Sequence, residues 1–207
     1  MLGMKNIFLT SYIAGTIQQL SYFICKNQIF SKNILFITTA GNVEEYVGYM
    51  DEGKEVLKQM GFQLQLLDIA VADTQQCYKT LSEAEIICVA GGNTFYLLQE
   101  LKRKKLSNLL VQKIENGCVY VGESAGAIIL AADIIYVSIM DDRHKAPELD
   151  NCTALNVIDF YPLPHYIEEP FTDSVQKIYM IYKNNLKLVP INNQQSIIVD
   201  NNGYTIV

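Results

Sequence analysis

What most limits the folding of this chain is an alternation. Short β-rich runs at 6–10, 33–38, 62–67, 85–90 and 118–121 are separated by longer stretches of helical spacing. Parallel strands joined by crossover helices give that pattern. The run Asn33-Ile34-Leu35-Phe36-Ile37-Thr38 does not alternate, as expected of a strand covered on both faces. Helices are expected at 18–26, over the segment carrying Tyr46, Met50, Val56, Leu57 and Met60, and at 73–82, 106–114 and 172–183. Gly61 is placed to end the second of these, and Asn93 or Thr94 to cap a helix that opens after Gly91-Gly92. The apolar stretch 126–135, broken by Asp133, fits a core helix better than a membrane span. Residues 136–152 read as polar and irregular. A hairpin pairing 196–199 with 204–207 through Asn201-Asn202-Gly203 closes the chain. The expectation is one α/β domain over 1–207, with a mostly parallel sheet and a C-terminal hairpin.

Composition narrows the chemistry. The 22 acidic and 16 basic residues leave a net charge of −6, so the chain gains little from counterion release and nucleic acid is a poor partner. Five dispersed cysteines without a C-x-x-C indicate neither a disulfide framework nor a zinc site, which suits a reduced, intracellular protein. The N-terminus lacks the basic and long apolar regions of a secretory signal, and no window is apolar enough for a membrane partner, so a cytoplasmic location is expected. Only His144 and His165 can supply an imidazole.

Gly122-Glu123-Ser124-Ala125-Gly126 fits G-x-S-x-G, with a strand-like run before it and an apolar run after. In that motif a serine on a strained strand-to-helix turn exposes its hydroxyl, and side chains at the flanking glycines would collide with the crossing backbone. A serine needs a base. His165 follows 41 residues later in Pro162-Leu163-Pro164-His165, where two prolines restrict the backbone, whereas His144 sits in the charged run Asp141-Asp142-Arg143-His144-Lys145. A carboxylate that fixes the imidazole could come from Asp133, Asp141, Asp142 or Asp159. Gly91-Gly92-Asn93 offers backbone N–H groups at a helix start, a candidate oxyanion hole together with Ala125 N–H. The same turn could instead bind an anion in a module without catalysis, in which case His165 would not hydrogen-bond Ser124.

Ala90-Gly91-Gly92-Asn93-Thr94-Phe95, Gly122-Glu123-Ser124-Ala125-Gly126-Ala127 and Pro164-His165-Tyr166, in this order, resemble the aspartyl dipeptidase (dipeptidase E) family of serine peptidases, family S51. The resemblance spans almost the whole chain and is strongest toward an uncharacterised Gram-positive branch sharing Met140-Asp141 and Leu163-Pro164-His165-Tyr166. It implies a three-layer flavodoxin-like or class I glutamine-amidotransferase-like fold, Ser124 as nucleophile, His165 as base, and Gly92, with Gly91 as a further candidate, in the oxyanion hole. It also implies cleavage of dipeptides that begin with aspartate, without a metal or other cofactor, and the short connections of the chain suit small peptides. The Met-Asp match favours Asp141 as third triad member, with Asp142 as alternate. Asn93 and Arg143 are the candidate substrate contacts, and a homodimer is compatible with the family. One departure matters. After the histidine, dipeptidase E carries Gly-Glu-Thr-Arg where this chain has Phe171-Thr172-Asp173-Ser174, and its only arginines are Arg103 and Arg143. A guanidinium for an acidic substrate is therefore not supplied at the family's position.

Overall fold

The computed structural model describes residues 5–207. Apolar runs of four to five residues become the strands β1 (Asn6–Thr10), β2 (Asn33–Ile37), β3 (Gln63–Leu67), β4 (Ile86–Val89) and β5 (Val119–Glu123). The crossovers carry α1 (Ile17–Lys26), α2 (Gly48–Gln59), α3 (Thr74–Glu83), α4 (Thr94–Arg103) and α5 (Ser107–Glu115). Asp73 caps α3 by accepting from Gln76 N–H, and Asn93 caps α4 by accepting from Tyr96 N–H. Gly61, at φ +88°, reverses the chain after α2.

After β5 comes a single helical turn, α6 (Ala125–Ile128). The long core helix expected over 126–135 does not form. Residues 126–131 and Ile134 are buried, but beyond Ile128 the chain breaks into turns whose N–H groups or carbonyls pair with 152–158. The remaining elements are β6 (Tyr161–Leu163), α7 (Thr172–Tyr182), β7 (Leu188–Pro190), β8 (Ser196–Asp200) and β9 (Gly203–Ile206).

Seven strands form one sheet in the order β3-β2-β4-β5-β1-β8-β9, parallel from β3 to β1, with the hairpin β8–β9 added antiparallel to β1. Numbered from β2, the four strands β2 to β5 have the spatial order 2-1-3-4 of flavodoxin-like sheets. Alternate residues of each central strand serve opposite faces. Phe8, Phe36, Cys88 and Val121 pack under α1 and α2, while Ile7, Leu9, Ile37, Val89 and Tyr120 pack against α3 to α7. The result is a three-layer α/β fold. A second, two-stranded parallel sheet, β6–β7, lies apart from the main one. Among the described residues all five cysteines are free, and no helix is long and apolar enough to cross a membrane.

Candidate active site

Open α/β sheets present ligand sites at the carboxyl ends of their strands, and Ser124, His165, Gly91, Gly92 and Ala125 gather there. Ser124, directly after β5, has φ +45° and ψ −104°, a conformation that side-chain-bearing residues avoid. Its surroundings hold it in place. Ser124 N–H donates to Thr10 O at 2.9 Å, Ala127 N–H donates back to Ser124 O at 2.8 Å, and the buried Tyr120 hydroxyl donates to Gly126 O at 2.7 Å. A Cβ on Gly122 would strike the Gly126 carbonyl group, and one on Gly126 would strike the Val89 carbonyl oxygen. The flanking glycines therefore allow helix and strands to touch, for the steric reason the motif gives.

His165 reaches this turn from the small sheet. Ile191 N–H donates to Leu163 O and Tyr166 N–H to Ile191 O, both at 3.0 Å, so the segments leaving β6 and β7 run side by side. His165 takes φ +60°, its N–H donates to Ser11 Oγ at 3.0 Å, and its ring stacks on Phe171 with centroids 4.6 Å apart. Nε2 then lies 2.9 Å from Ser124 Oγ, and Nδ1 lies 3.0 Å from Asn193 Oδ1. An amide oxygen accepts, so Nδ1 carries the hydrogen and Nε2 presents its lone pair to the serine hydroxyl. Burial lowers the His165 pKa below 6.5, against the opposing effects of the Asn193 hydrogen bond and the Glu168 charge. Glu168 also braces this arm, its Oε1 accepting from the Asn193 backbone N–H at 3.2 Å.

The third position thus differs from the sequence expectation. Asp141 does not meet His165: its Oδ2 accepts from Thr94 N–H at 2.8 Å, at the start of α4, where unpaired N–H groups and the helix dipole favour an anion. Burial still raises its pKa to about 6. Asp142 caps the turn Arg143–Lys145 by accepting from His144 N–H. Asp133 accepts from Ile135 N–H, and Asp159 pairs with Lys187. The sequence does not mark Asn193 as an orienting group, because the run Asn192-Asn193-Gln194-Gln195 contains no carboxylate.

Two oxyanion-hole candidates keep unpaired N–H groups. Neither Gly92 N–H nor Ala125 N–H has an acceptor among the described residues. Gly92, at φ +129°, lies so close to Ala40 that a Cβ would strike its carbonyl. Gly91 does not fit that role, because its N–H donates to Glu123 Oε2 at 3.2 Å. Asn93 is 1% exposed, and its amide is used at both ends, by Tyr96 N–H and by Asp142 O, so it does not face substrate. Arg143 is exposed on its turn, with its charge beside Cys152. Arg103, ten residues along α4 from the site, is tied to Glu100. Arg103 is therefore not placed to meet a substrate at Ser124, and Arg143 makes no hydrogen bond or ion pair with Ser124, His165 or Gly92 among the described residues.

Sequence reasoning also missed Tyr49. A Cβ on Gly91 would be 3.3 Å from both Ser124 Cβ and Tyr49 Cε2, so the ring lines the site across that glycine. The Tyr49 hydroxyl is buried without a partner, and its pKa is raised by burial and by the charges of Glu123, Glu44 and Asp141.

Known proteins resemble this chain in sequence and in fold. The family model for peptidase family S51 matches residues 9–207. An uncharacterized peptidase of Listeria innocua, Lin0382, is 42% identical over 95% of this chain and 93% of its own. Peptidase E of Haemophilus influenzae is 29% identical over 79% of this chain and 74% of its own. The crystal structure of a candidate peptidase E from Listeria monocytogenes EGD-e superposes with a TM-score of 0.93 at 38% identity, covering 99% of this chain and 98% of that one.

Proposed function

The chain belongs to peptidase family S51, and we propose that it is a serine-type peptidase acting on small peptides through Ser124, His165 and Asn193. The observation that carries this reading is the 2.9 Å contact between His165 Nε2 and Ser124 Oγ on a strained strand-to-helix turn. In the proposed reaction, Ser124 Oγ attacks the scissile carbonyl carbon while His165 Nε2 takes the hydroxyl proton. The carbonyl π electrons move onto oxygen, and the resulting oxyanion is held by Gly92 N–H and Ala125 N–H. His165 then gives its proton to the leaving amine as the C–N bond breaks, and water repeats the sequence to release the acyl group. Asn193 holds the imidazole in the reactive tautomer throughout. Being neutral, it stabilises the imidazolium less than a carboxylate would, and the nearest negative charge on this arm, Glu168, acts from one residue further away.

The charges around the site argue about substrate. Around Tyr49 the carboxylates of Glu44 and Asp141 outnumber the one cation among them, Lys145, which pairs with Glu44 at 3.4 Å, so an acidic first residue meets net negative charge there. The cleaved peptides are therefore expected to carry neutral or basic first residues. A panel of dipeptides varying in the first residue tests this, with Ser124→Ala as control. Turnover by the parent alone, strongest on non-acidic peptides, is the expected result. Turnover that survives in Ser124→Ala overturns the assignment, and cleavage restricted to Asp-X peptides overturns the specificity.

A further inference from the structure

The carboxylate that precedes the nucleophile in the chain takes part in none of these steps. Glu123 immediately precedes Ser124, is 1% exposed, and makes no ion pair among the described residues. A buried carboxylate without a counter-ion is costly unless its lone pairs are used. Here Oε1 accepts from Ile13 N–H at 2.8 Å and Oε2 from Gly91 N–H at 3.2 Å. Both donors belong to segments that build the site. Ile13 follows Ser11, whose hydroxyl accepts from His165 N–H and donates to Ile191 O, two residues before Asn193. Gly91 precedes Gly92, so fixing the Gly91 N–H fixes the chain entering the peptide whose N–H is unpaired.

We propose that Glu123 is a positioning residue that aims the oxyanion hole, its carboxylate holding the Gly91 turn and the segment after β1 so that Gly92 N–H points toward the reacting carbonyl beside Ala125 N–H. This rests on the serine-peptidase reading above. Only the ionised form serves both donors well, because the hydroxyl oxygen of a neutral carboxyl is a poor acceptor and one N–H then loses its partner. Tyr49 and Glu52 from α2 and Cys88 from β4 are the titratable groups that face Glu123, and none of them brings a positive charge. Burial raises the Glu123 pKa to about 7, opposed by its two N–H bonds and reinforced by Glu52, whereas the His165 pKa lies below 6.5. If Glu123 aims the oxyanion hole in its ionised form, activity is expected to fall on acidification near pH 7, with the imidazole titrating at lower pH.

The second-order rate of labelling by a fluorophosphonate, measured from pH 5 to 9, tests this without knowledge of the substrate. The parent is expected to lose rate through a limb near pH 7. Glu123→Gln is expected to be slower by about 10- to 100-fold at pH 8 and to lack that limb, leaving only the one below pH 6.5. Glu123→Asp, shorter but still ionisable, should be slowed and keep an acid limb above that of His165. A parent profile with its only acid limb below pH 6.5 overturns the proposal even if neither variant folds. So does a Glu123→Gln variant that retains the limb near pH 7, whatever its rate, because that limits Glu123 to a structural role. A parent that takes up no label at all removes the serine-peptidase reading itself, and this proposal with it.

Discussion

The two arms of the site are built differently. The arm carrying Ser124, Gly92 and Ala125 rises from β4 and β5, neighbouring parallel strands in the middle of the seven-stranded sheet, and its backbone is fixed by contacts that leave no room for a Cβ at Gly92, Gly122 or Gly126. The arm carrying His165 and Asn193 rises from the two-stranded β6–β7 sheet and is aligned by a few hydrogen bonds through Ser11, Ile191 and Glu168. The first arm is set by close packing, which tolerates little change in volume. The second is anchored by the buried side chains of Leu163, Val189 and Ile191 and by the Phe171 ring, but its reacting side chains are aimed by polar contacts, each worth about 1 kcal/mol in stability. Substitutions in the two arms should therefore fail differently, one set by loss of the fold and the other by loss of rate.

The largest effect is expected from Gly126→Val, which drives a branched side chain into the Val89 carbonyl. It should cost about 3 kcal/mol or more, seen as a loss of soluble, cooperatively unfolding protein. A well-folded Gly126→Val variant would show that the elbow is looser than its packing indicates. In the other arm, His165→Ala should lower the labelling rate by about 10²- to 10⁴-fold while the melting temperature stays near that of the parent. A collapse of the fold there would erase the contrast between the arms.

Asn193 gives a finer test. Asn193→Ala leaves the imidazole tautomer and orientation unset and should cost about 10- to 100-fold in rate, with little change in thermal unfolding. Asn193→Asp puts a negative charge beside Nδ1, favours the imidazolium, and should move the His165 limb to higher pH. An unchanged limb would mean that the 3.0 Å contact does not operate in solution.

The smallest effect is expected at Asp141. Asp141→Asn should label within about 3-fold of the parent, since general-base assistance of about 10²-fold or more would be lost only if Asp141 served His165. Its signature lies in stability. The folded-state pKa of about 6 lies above the ordinary 3.8, so the native state binds this proton more tightly than the unfolded chain does. The contribution of Asp141 therefore declines as pH rises from about 4 to about 6. The melting temperature of Asp141→Asn, which does not titrate, should gain on the parent over that interval, and a difference independent of pH would contradict the shift.

The same division explains what the sequence made legible. The alternation of strands and helices, the cap at Asn93, the turn at Gly61, and the Ser124 elbow with its glycines all depend on neighbours a few residues away, so periodicity and motif spacing carry them. His165 was legible because only two histidines exist and the other lies in a charged run. Asn193 was not, since its place beside His165 depends on the pairing of β6 with β7, two three-residue strands 25 residues apart with weak signals of their own. The apolar run after Gly126 misled for a related reason. Apolarity set its burial, but pairing with 152–158 rather than local propensity set its backbone. Asp141 lies at the carboxyl end of the sheet, where a triad acid would be sought, yet it is committed to the first turn of α4.

The central claim is that Ser124, activated by His165, is the nucleophile. Intact-mass and peptide-level mass spectrometry after fluorophosphonate treatment at pH 8 tests it most directly. One adduct per chain is expected, on the peptide containing Ser124, formed at a strongly reduced rate in His165→Ala. An adduct on another residue, or formation at the parental rate in His165→Ala, would contradict the account.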